Sequence, residues 1–179
     1  AVAQRLASEP IDAIVSSDLQ RARVTAEAIA RHHDLPVWED SDLRETSLGI
    51  WEGFTYADVQ AHEPELVGRW RTDPTIAPPG GETLMQVRDR AAHTLERWRT
   101  SYPAGTVLWS THGGFLGVLI CFLLEIDLNR RRQFRFGNTS ITDIDLSRSY
   151  PVLLTLNEIT HIRGLAVDDE LDSTSTPVH

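Results

Sequence analysis

A strand that runs through a histidine and two glycines into a helix constrains this chain more than any other feature of its sequence. Residues 106–110 are apolar and of strand length, Gly113 and Gly114 form a turn, and residues 115–124 predict an apolar helix. In open α/β sheets, ligands bind outside the carboxyl ends of the strands, where helix N-termini point. His112 lies at such a position and can donate a hydrogen bond to an anion, while the glycines let the backbone approach the ligand closely. Alternatively, His112 is satisfied by a backbone carbonyl at a tight turn.

The same strand-to-helix order repeats along the chain, and two strands follow each other near its end. Predicted helices cover residues 1–7, 17–33, 82–99 and 115–124, with Ser17 as the candidate cap of the second. Predicted strands cover residues 11–16, 36–38, 106–110, 141–146 and 152–159. This alternation predicts an α/β fold with a mostly parallel sheet. We expect one domain over residues 1–166 and a disordered acidic tail over residues 167–179.

The composition limits the classes of partner. A net charge of −9 argues against general nucleic-acid binding, which depends on positive surface. The longest strongly apolar run, residues 115–124, is far shorter than the ~20 residues of a membrane span. The single cysteine, Cys121, lies in that run, so we expect no disulfide and a cytoplasmic location. All seventeen basic residues are arginine, and the run at 130–132 is interpreted as an exposed helix end or a dimer contact.

Arg21 follows a predicted strand and falls in the first turns of the next helix. A cation there opposes the helix dipole, which favours acidic residues at this end. The position becomes favourable if an anion lies between the guanidinium and the free backbone N–H groups, as in a phosphate site. The alternative is an arginine on a solvated face that is paired with Asp18 or Glu27.

Glu45 follows a predicted strand and precedes a loop that contains Gly49 and Trp51. A carboxyl group beside an aromatic ring can have its pKa raised and act as a general acid. The alternative is that Glu45 and Glu52 are surface acids of a solvated loop. Further along, residues 80–83 form a glycine turn that leads into a helix, and this turn lacks the lysine of a P-loop.

Taken together, these segments resemble the histidine phosphatase superfamily, the phosphoglycerate-mutase-like proteins, in their order and spacing. The resemblance is carried by Ser17-Asp18-Leu19-Gln20-Arg21-Ala22, Leu43-Arg44-Glu45 with Gly49, Gly80-Gly81-Glu82-Thr83, Thr111-His112-Gly113 and Gly137-Asn138-Thr139-Ser140. It implies a three-layer sandwich with helices on both faces of the central sheet. It also implies that Arg21, His112 and Gly113 bind the phosphoryl group. Glu45 and His112 are then the catalytic residues, with Glu45 as the general acid.

The sequence departs from this family in one respect. None of its seven histidines both follows arginine and precedes glycine, whereas the family's nucleophilic histidine lies in an Arg-His-Gly segment at the end of the first strand. We therefore expect that this strand and the nucleophile lie upstream of residue 1, and that the chain as given is inactive on its own. The resemblance implies that no metal and no cofactor takes part.

The activity that the resemblance implies is a two-step phosphoryl transfer through a phosphohistidine. Water accepts the phosphoryl group in a phosphatase, whereas a second hydroxyl accepts it in a mutase. The short stretch between Glu45 and Gly80 favours a phosphatase that acts on small phosphomonoesters, such as sugar phosphates or phosphoglycerate derivatives. The alternatives are a mutase and a non-catalytic module that binds a phospholigand or another protein. The late strands could support a homodimer.

Overall fold

The computed structural model describes residues 1–164, which form six α-helices and five β-strands. The helices are α1 (Val2–Leu6), α2 (Gln20–Ala30), α3 (Tyr56–His62), α4 (Pro64–Thr72), α5 (Leu84–Ser101) and α6 (Gly113–Leu123). The strands are β1 (Ala13–Ser16), β2 (Val37–Glu39), β3 (Val107–Ser110), β4 (Ile141–Asp145) and β5 (Val152–Glu158). The predicted tail from residue 167 lies outside the described residues.

A parallel sheet forms the middle layer of the fold. β1 lies between β2 and β3, and Ile14 is in register with both Val37 and Leu108. Ile14 packs into an apolar cluster with residues of α1 and α2, whereas the next residue, Val15, packs against α5 and α6. Because successive strand residues point to opposite faces of a sheet, helices cover both faces. The predicted three-layer α/β fold is therefore confirmed.

The helix α6 is deeply buried along most of its length. Phe115, Val118 and Ile120 are at most 1% exposed, and Cys121 is fully buried as a free thiol. A helix that is apolar on all sides is typical of a core position. No helix within residues 1–164 combines the length and the apolar character that a membrane crossing needs.

The helix α2 is shorter at both ends than its sequence predicts. It begins at Gln20, with Leu19 as an extended N-cap residue, so Ser17 does not cap it. It ends at Ala30, because the chain then forms a tight turn and Asp34 adopts a positive φ of 53°. A left-handed residue of this kind terminates a helix, and aspartate tolerates that conformation better than most residues.

The two late strands pair with each other rather than with the parallel sheet. β4 and β5 form an antiparallel hairpin, with Ile144 opposite Leu153. A cavity of about 1480 Å³ lies between this hairpin and the parallel sheet, and every residue of β3 and β4 lines it. At the carboxyl end of β3, the cavity reaches His112.

The basic run at 130–132 differs from its predicted exposure. It belongs to a 3-10 segment, Leu128–Gln133, that follows α6. Arg131 is only 9% exposed, although Arg130 and Arg132 are exposed as predicted.

Candidate active site

Arg21 and His112 meet at the carboxyl ends of β1 and β3. These two strands are parallel neighbours, so the loops that follow them lie side by side. Arg21 lies in the first turn of α2 and His112 is the N-cap residue of α6. The Nε–H group of Arg21 donates to Nδ1 of His112 over 3.2 Å. The alternatives considered for these residues, a pair of Arg21 with Asp18 or Glu27 and a carbonyl bond of His112, are not found within residues 1–164.

The hydrogen bonds of His112 define its tautomer. An arginine Nε–H can only donate, so Nδ1 of His112 is the acceptor and the ring proton lies on Nε2. That proton is donated to the Ser17 hydroxyl, 2.9 Å away. Ser17 is fully buried, and its hydroxyl also accepts from the Leu19 N–H group. Ser17 therefore orients His112 instead of capping a helix, a role that the sequence did not indicate.

The electrostatic surroundings keep His112 neutral. Burial lowers the pKa of His112, and the nearby Arg21 and Arg90 lower it further, while Glu45 and Asp18 partly oppose this shift. A neutral imidazole can accept the hydrogen bond from Arg21. An anion beside it would favour its protonated form.

Glu45 lies across the N-terminus of α6. Its Oε2 atom accepts from the Gly114 N–H group over 3.1 Å, and its Oε1 atom accepts from the Phe115 N–H group over 2.9 Å. Oε1 also accepts from the Thr46 N–H group over 2.8 Å. The carboxylate thus takes the place of an N-cap side chain for α6. The positive end of the helix dipole stabilises its negative charge. Glu45 is partly buried, so it is not a solvated surface acid, whereas Glu52 is exposed.

The close approach of Glu45 depends on Gly114. A Cβ atom at position 114 would lie 2.4 Å from Oε1 of Glu45, a distance that real Cβ atoms do not show. At the neighbouring Gly113, a Cβ atom would lie no nearer than 3.8 Å to another side chain. The second glycine of the turn therefore makes room for the carboxylate. The first glycine is exposed, and no hydrogen bond within residues 1–164 uses its N–H group.

Arg90 of α5 holds the loop that carries Glu45 by hydrogen bonds to the loop backbone. The guanidinium donates to the carbonyl oxygens of Asp42 over 2.6 Å, Arg44 over 2.8 Å and Glu45 over 3.2 Å. It also forms an ion pair with Glu82, whose other oxygen accepts from the Ser47 N–H group. The sequence does not point to Arg90, because this residue lies 45 residues beyond Glu45 and belongs to no motif.

The predicted site residues line one continuous cavity. Arg21, Glu45, His112 and Gly113 all contribute to it, as does the segment at 137–140. Arg21 is exposed, and none of the ion pairs within residues 1–164 involves it. Arg44, in contrast, is neutralised by two bonds to Asp18. The described residues contain no group of histidine, cysteine and carboxylate side chains arranged to hold a metal ion.

A family profile and several known proteins match this chain. The profile of the histidine phosphatase superfamily (branch 1) matches residues 1–159. A bifunctional protein of Mycobacterium tuberculosis is 45% identical over 115 residues, which are 64% of this chain and 32% of that protein. Phosphoserine phosphatase 1 of Hydrogenobacter thermophilus is 32% identical over 168 residues, which are 93% of this chain and 80% of that protein. The chain thus spans about a third of the length of the first relative and most of the second.

A solved structure shows the same fold. Mycobacterial glucosyl-3-phosphoglycerate phosphatase superposes with a TM-score of 0.77 at 31% identity, over 88% of this chain and 82% of that one.

Proposed function

The chain belongs to the histidine phosphatase superfamily, and on that premise we propose that its site hydrolyses small phosphomonoesters, such as sugar phosphates or phosphoglycerate derivatives. The observation that carries the proposal is the pair of Arg21 and His112 at the cavity. Arg21 presents an exposed charge that no carboxylate within residues 1–164 neutralises. In a protein with a net charge of −9, such a local excess of positive charge suits an anionic ligand.

The phosphoryl group would be held by three kinds of donor. The guanidinium of Arg21 supplies four Nη N–H groups besides the Nε–H group. When the anion takes over the Arg21 Nε–H group, Nδ1 of His112 is free to be protonated and supplies a second donor. The N–H group of Gly113 at the start of α6 supplies a third, with the favourable end of the helix dipole behind it. These groups would also stabilise charge on the transferring oxygens, where such reactions gain most of their rate.

The proposed chemistry has two steps through a phosphohistidine. A histidine nitrogen attacks phosphorus, the P–N bond forms, and the ester P–O bond breaks as Glu45, which must carry a proton in the substrate complex, gives that proton to the leaving alkoxide. Glu45 then takes a proton from water, which attacks phosphorus and breaks the P–N bond, so that free phosphate leaves. His112 is hydrogen-bonded through both ring nitrogens and is assigned to phosphoryl binding rather than to attack.

The proposed nucleophile is a histidine of a segment upstream of residue 1. The cavity between β3 and β4 supports this assignment, because it is bordered along its length by both strands and by apolar helix residues such as Leu6 and Leu116. One further strand in that cavity could pair with β3 and β4 and end beside Arg21 and His112. Strands of a sheet lie ~4.8 Å apart, so a residue at its carboxyl end would be within reach of both.

Two observations favour a phosphatase over a mutase. The stretch between Glu45 and Gly80 is short, whereas mutases of the superfamily tend to carry a longer insertion there. Two relatives, at 32% and 31% identity, are a phosphoserine phosphatase and a glucosyl-3-phosphoglycerate phosphatase, although a probable phosphoglycerate mutase of Escherichia coli is also 32% identical. The second candidate, a module that only binds phospholigands, is disfavoured by Glu45, which binding alone does not require.

The experiment is a hydrolysis assay of the full-length protein with p-nitrophenyl phosphate in EDTA. We expect turnover that EDTA does not reduce, together with an acid-labile phosphoprotein after rapid quenching. Turnover that EDTA abolishes would contradict the metal-independent mechanism. An absence of turnover, combined with tight binding of phosphate, would favour the binding module.

A further inference from the structure

Residues 137–140, which we call the wall segment, form one side of the proposed active site. They line the same cavity as Arg21 and His112. Phe136, directly before them, packs beside the N-terminus of α6, since a Cβ atom at Gly113 would lie 3.8 Å from its side chain. A shift of the wall segment would therefore change the shape of the site next to the proposed phosphoryl-binding groups.

The backbone of the wall segment is strained at Thr139. This residue adopts a φ of 60°, in the left-handed region that β-branched residues avoid. Residues in such conformations persist where the surrounding contacts hold them. The side chain of Thr139 is exposed, so its packing does not hold the residue. The contacts that keep this conformation must therefore be made by the backbone.

Two side chains at and after the end of β5 bind the backbone of the wall segment. Oδ1 of Asn157 accepts from the Gly137 N–H group over 2.7 Å. Nε2 of His161, in the 3-10 turn that follows β5, lies 3.0 Å from the carbonyl oxygen of Thr139. A carbonyl oxygen can only accept, so Nε2 of His161 carries a proton and donates it. His161 thus holds the strained residue by its backbone.

The second ring nitrogen of His161 faces a carboxylate. The His161 side chain is 4% exposed, and its Nδ1 atom lies 3.6 Å from Oε2 of Glu158. Neither atom has a hydrogen-bond partner among residues 1–164. In a neutral ring, Nδ1 would be an acceptor that faces another acceptor, whereas in an imidazolium it is a donor that faces an anion. Because buried polar atoms are normally paired, this geometry fits the charged ring.

Glu158 supplies the negative charge for this pair. Hydrogen bonds from the hydroxyl and N–H groups of Thr160 lower the pKa of Glu158; burial partly opposes the shift, and the charges of His161 and Arg5 support it. Both donors of Thr160 bind Oε1, so Oε2 is left for His161. The carboxylate is therefore ionised at neutral pH.

Few other charges surround the pair of His161 and Glu158. Arg5 of α1 lies 3.8 Å from Oε2 of Glu158 and pairs more closely with Glu9. Arg163 follows on the chain and forms no ion pair within residues 1–164. The wall segment itself carries no titratable side chain. Glu158 is therefore the carboxylate with which an imidazolium at His161 pairs.

We infer that His161, as an imidazolium paired with Glu158, is a positioning residue that holds the wall segment in its strained shape, and that loss of its proton releases the segment. This inference rests on the proposed function in one respect, that the wall segment belongs to a phosphatase site. His161 has no part in the chemical step and acts through the carbonyl oxygen of Thr139.

The first test observes the wall segment directly and needs no turnover. The N–H groups of Gly137 and Ser140 are hydrogen-bonded, so their hydrogen exchange reports how firmly the segment is held. In the full-length protein, His161→Gln keeps a donor and cannot be charged. It should accelerate exchange at both amides by about tenfold at about pH 6. His62→Gln is the matched control, since His62 also contacts a backbone carbonyl oxygen but lies exposed on α3.

The second test separates the charge of the ring from its shape. After correction for intrinsic exchange rates, the wild type should lose the protection of these amides between about pH 6 and about pH 9, because histidine changes its charge near neutral pH. Glu158→Gln should keep the protection at both pH values, because its amide N–H group can donate to Nδ1 of a neutral ring. Wild-type protection that does not change with pH would overturn the inference.

The third test asks whether this contact positions the site. His161→Gln should lower kcat/KM for p-nitrophenyl phosphate by about tenfold at about pH 6 and by less than about threefold at about pH 9, where the wild type has lost the same contact. Thr139→Asn relieves the strain, because asparagine tolerates a positive φ, so the loss caused by His161→Gln should shrink in that background. An undiminished loss would give His161 a general structural role and overturn the inference.

The separate readouts distinguish failure of the inference from failure of the proposed function. Faster exchange with unchanged kcat/KM would show that the wall segment does not set the site, which overturns the inference and leaves the phosphatase intact. Unchanged exchange in His161→Gln would have the same meaning. If the wild type hydrolyses no phosphomonoester, the proposed function fails, and calorimetry with inorganic phosphate decides the inference. About tenfold weaker binding in His161→Gln supports it, and equal affinities overturn it.

Discussion

At the scale of single residues, the site depends on which partner each charge has. Arg21 and Arg44 carry the same guanidinium group, yet Arg44 forms two bonds to Asp18 while Arg21 bonds only to a neutral imidazole. An arginine that faces a carboxylate has little capacity left for a phosphate. Arg21 retains that capacity because the ring of His112 accepts one hydrogen bond and neutralises no charge.

The first prediction concerns Arg21. Arg21→Ala should lower kcat/KM for p-nitrophenyl phosphate by about 10²–10³-fold, because a charged donor to the transferring oxygens is lost. Steady-state kinetics of the full-length protein would measure this. Arg23→Ala is the matched control, since Arg23 lies on the same helix and pairs only with the surface acids Glu27 and Glu39. Near-normal turnover of Arg21→Ala would remove this residue from the site.

At the scale of secondary-structure elements, the N-terminus of α6 is the centre of the site. It receives His112 from the strand before it and Glu45 from a loop 69 residues earlier. Because Glu45 lies so close to Gly114, one methyl group added at position 114 would force its carboxylate to move.

The second prediction follows from that fit. Gly114→Ala should displace the Glu45 carboxylate and lower the turnover of an alkyl phosphate by about 10²-fold, the usual contribution of a general acid. Hydrolysis of p-nitrophenyl phosphate should fall less, because its leaving group needs no proton. Gly68→Ala is the control, since a Cβ atom there meets no other atom within 4 Å. Equal losses on the two esters would argue against Glu45 as the acid.

The third prediction concerns the support of the Glu45 loop by α5. Arg90→Met leaves three carbonyl oxygens and Glu82 without their donor, and it should destabilise the fold by about 3 kcal/mol. Amide hydrogen exchange at residues 42–47 should accelerate more than exchange in β1. Arg88→Met, which loses only a surface pair with Asp89, serves as the comparison. Unchanged exchange at residues 42–47 would show that Arg90 does not hold the loop.

These elements also show what a sequence can and cannot reveal. The turn from β3 into α6 is local, so its apolar runs and glycines predicted both the fold and the place of His112. The contacts of Arg90 with residues 42–45 join segments that are distant in sequence, so no local pattern predicts them. A pattern of charges along the sequence also does not distinguish buried arginines from exposed ones. Arg131 was predicted to be exposed for that reason. The cap motif predicted that Ser17 caps α2. This was wrong because a local motif carries no information on a tertiary partner such as His112.

At the scale of the whole molecule, the charge state of His112 connects the site to the stability of the fold. Its folded-state pKa lies below its ordinary value of 6.5. Between those two values the unfolded chain binds more protons than the folded one, so the free energy of unfolding rises with pH. This contribution is fully present above pH 6.5 and is lost as the pH falls through the folded-state pKa, by at most ~1.4 kcal/mol per pH unit.

The fourth prediction uses this linkage to detect the anion. Urea unfolding of the full-length protein should give a lower free energy of unfolding at pH 5.5 than at pH 7.5, and His112→Asn should reduce that difference by about 1 kcal/mol. His32→Asn, at an exposed histidine, should not. Saturating inorganic phosphate should stabilise the wild type more at pH 5.5 than at pH 7.5, because an anion at Arg21 raises the pKa of His112 and makes protonation favourable. If phosphate stabilises wild type and His112→Asn equally at both pH values, His112 does not face the bound anion, and the phosphoryl group must be placed elsewhere in the cavity.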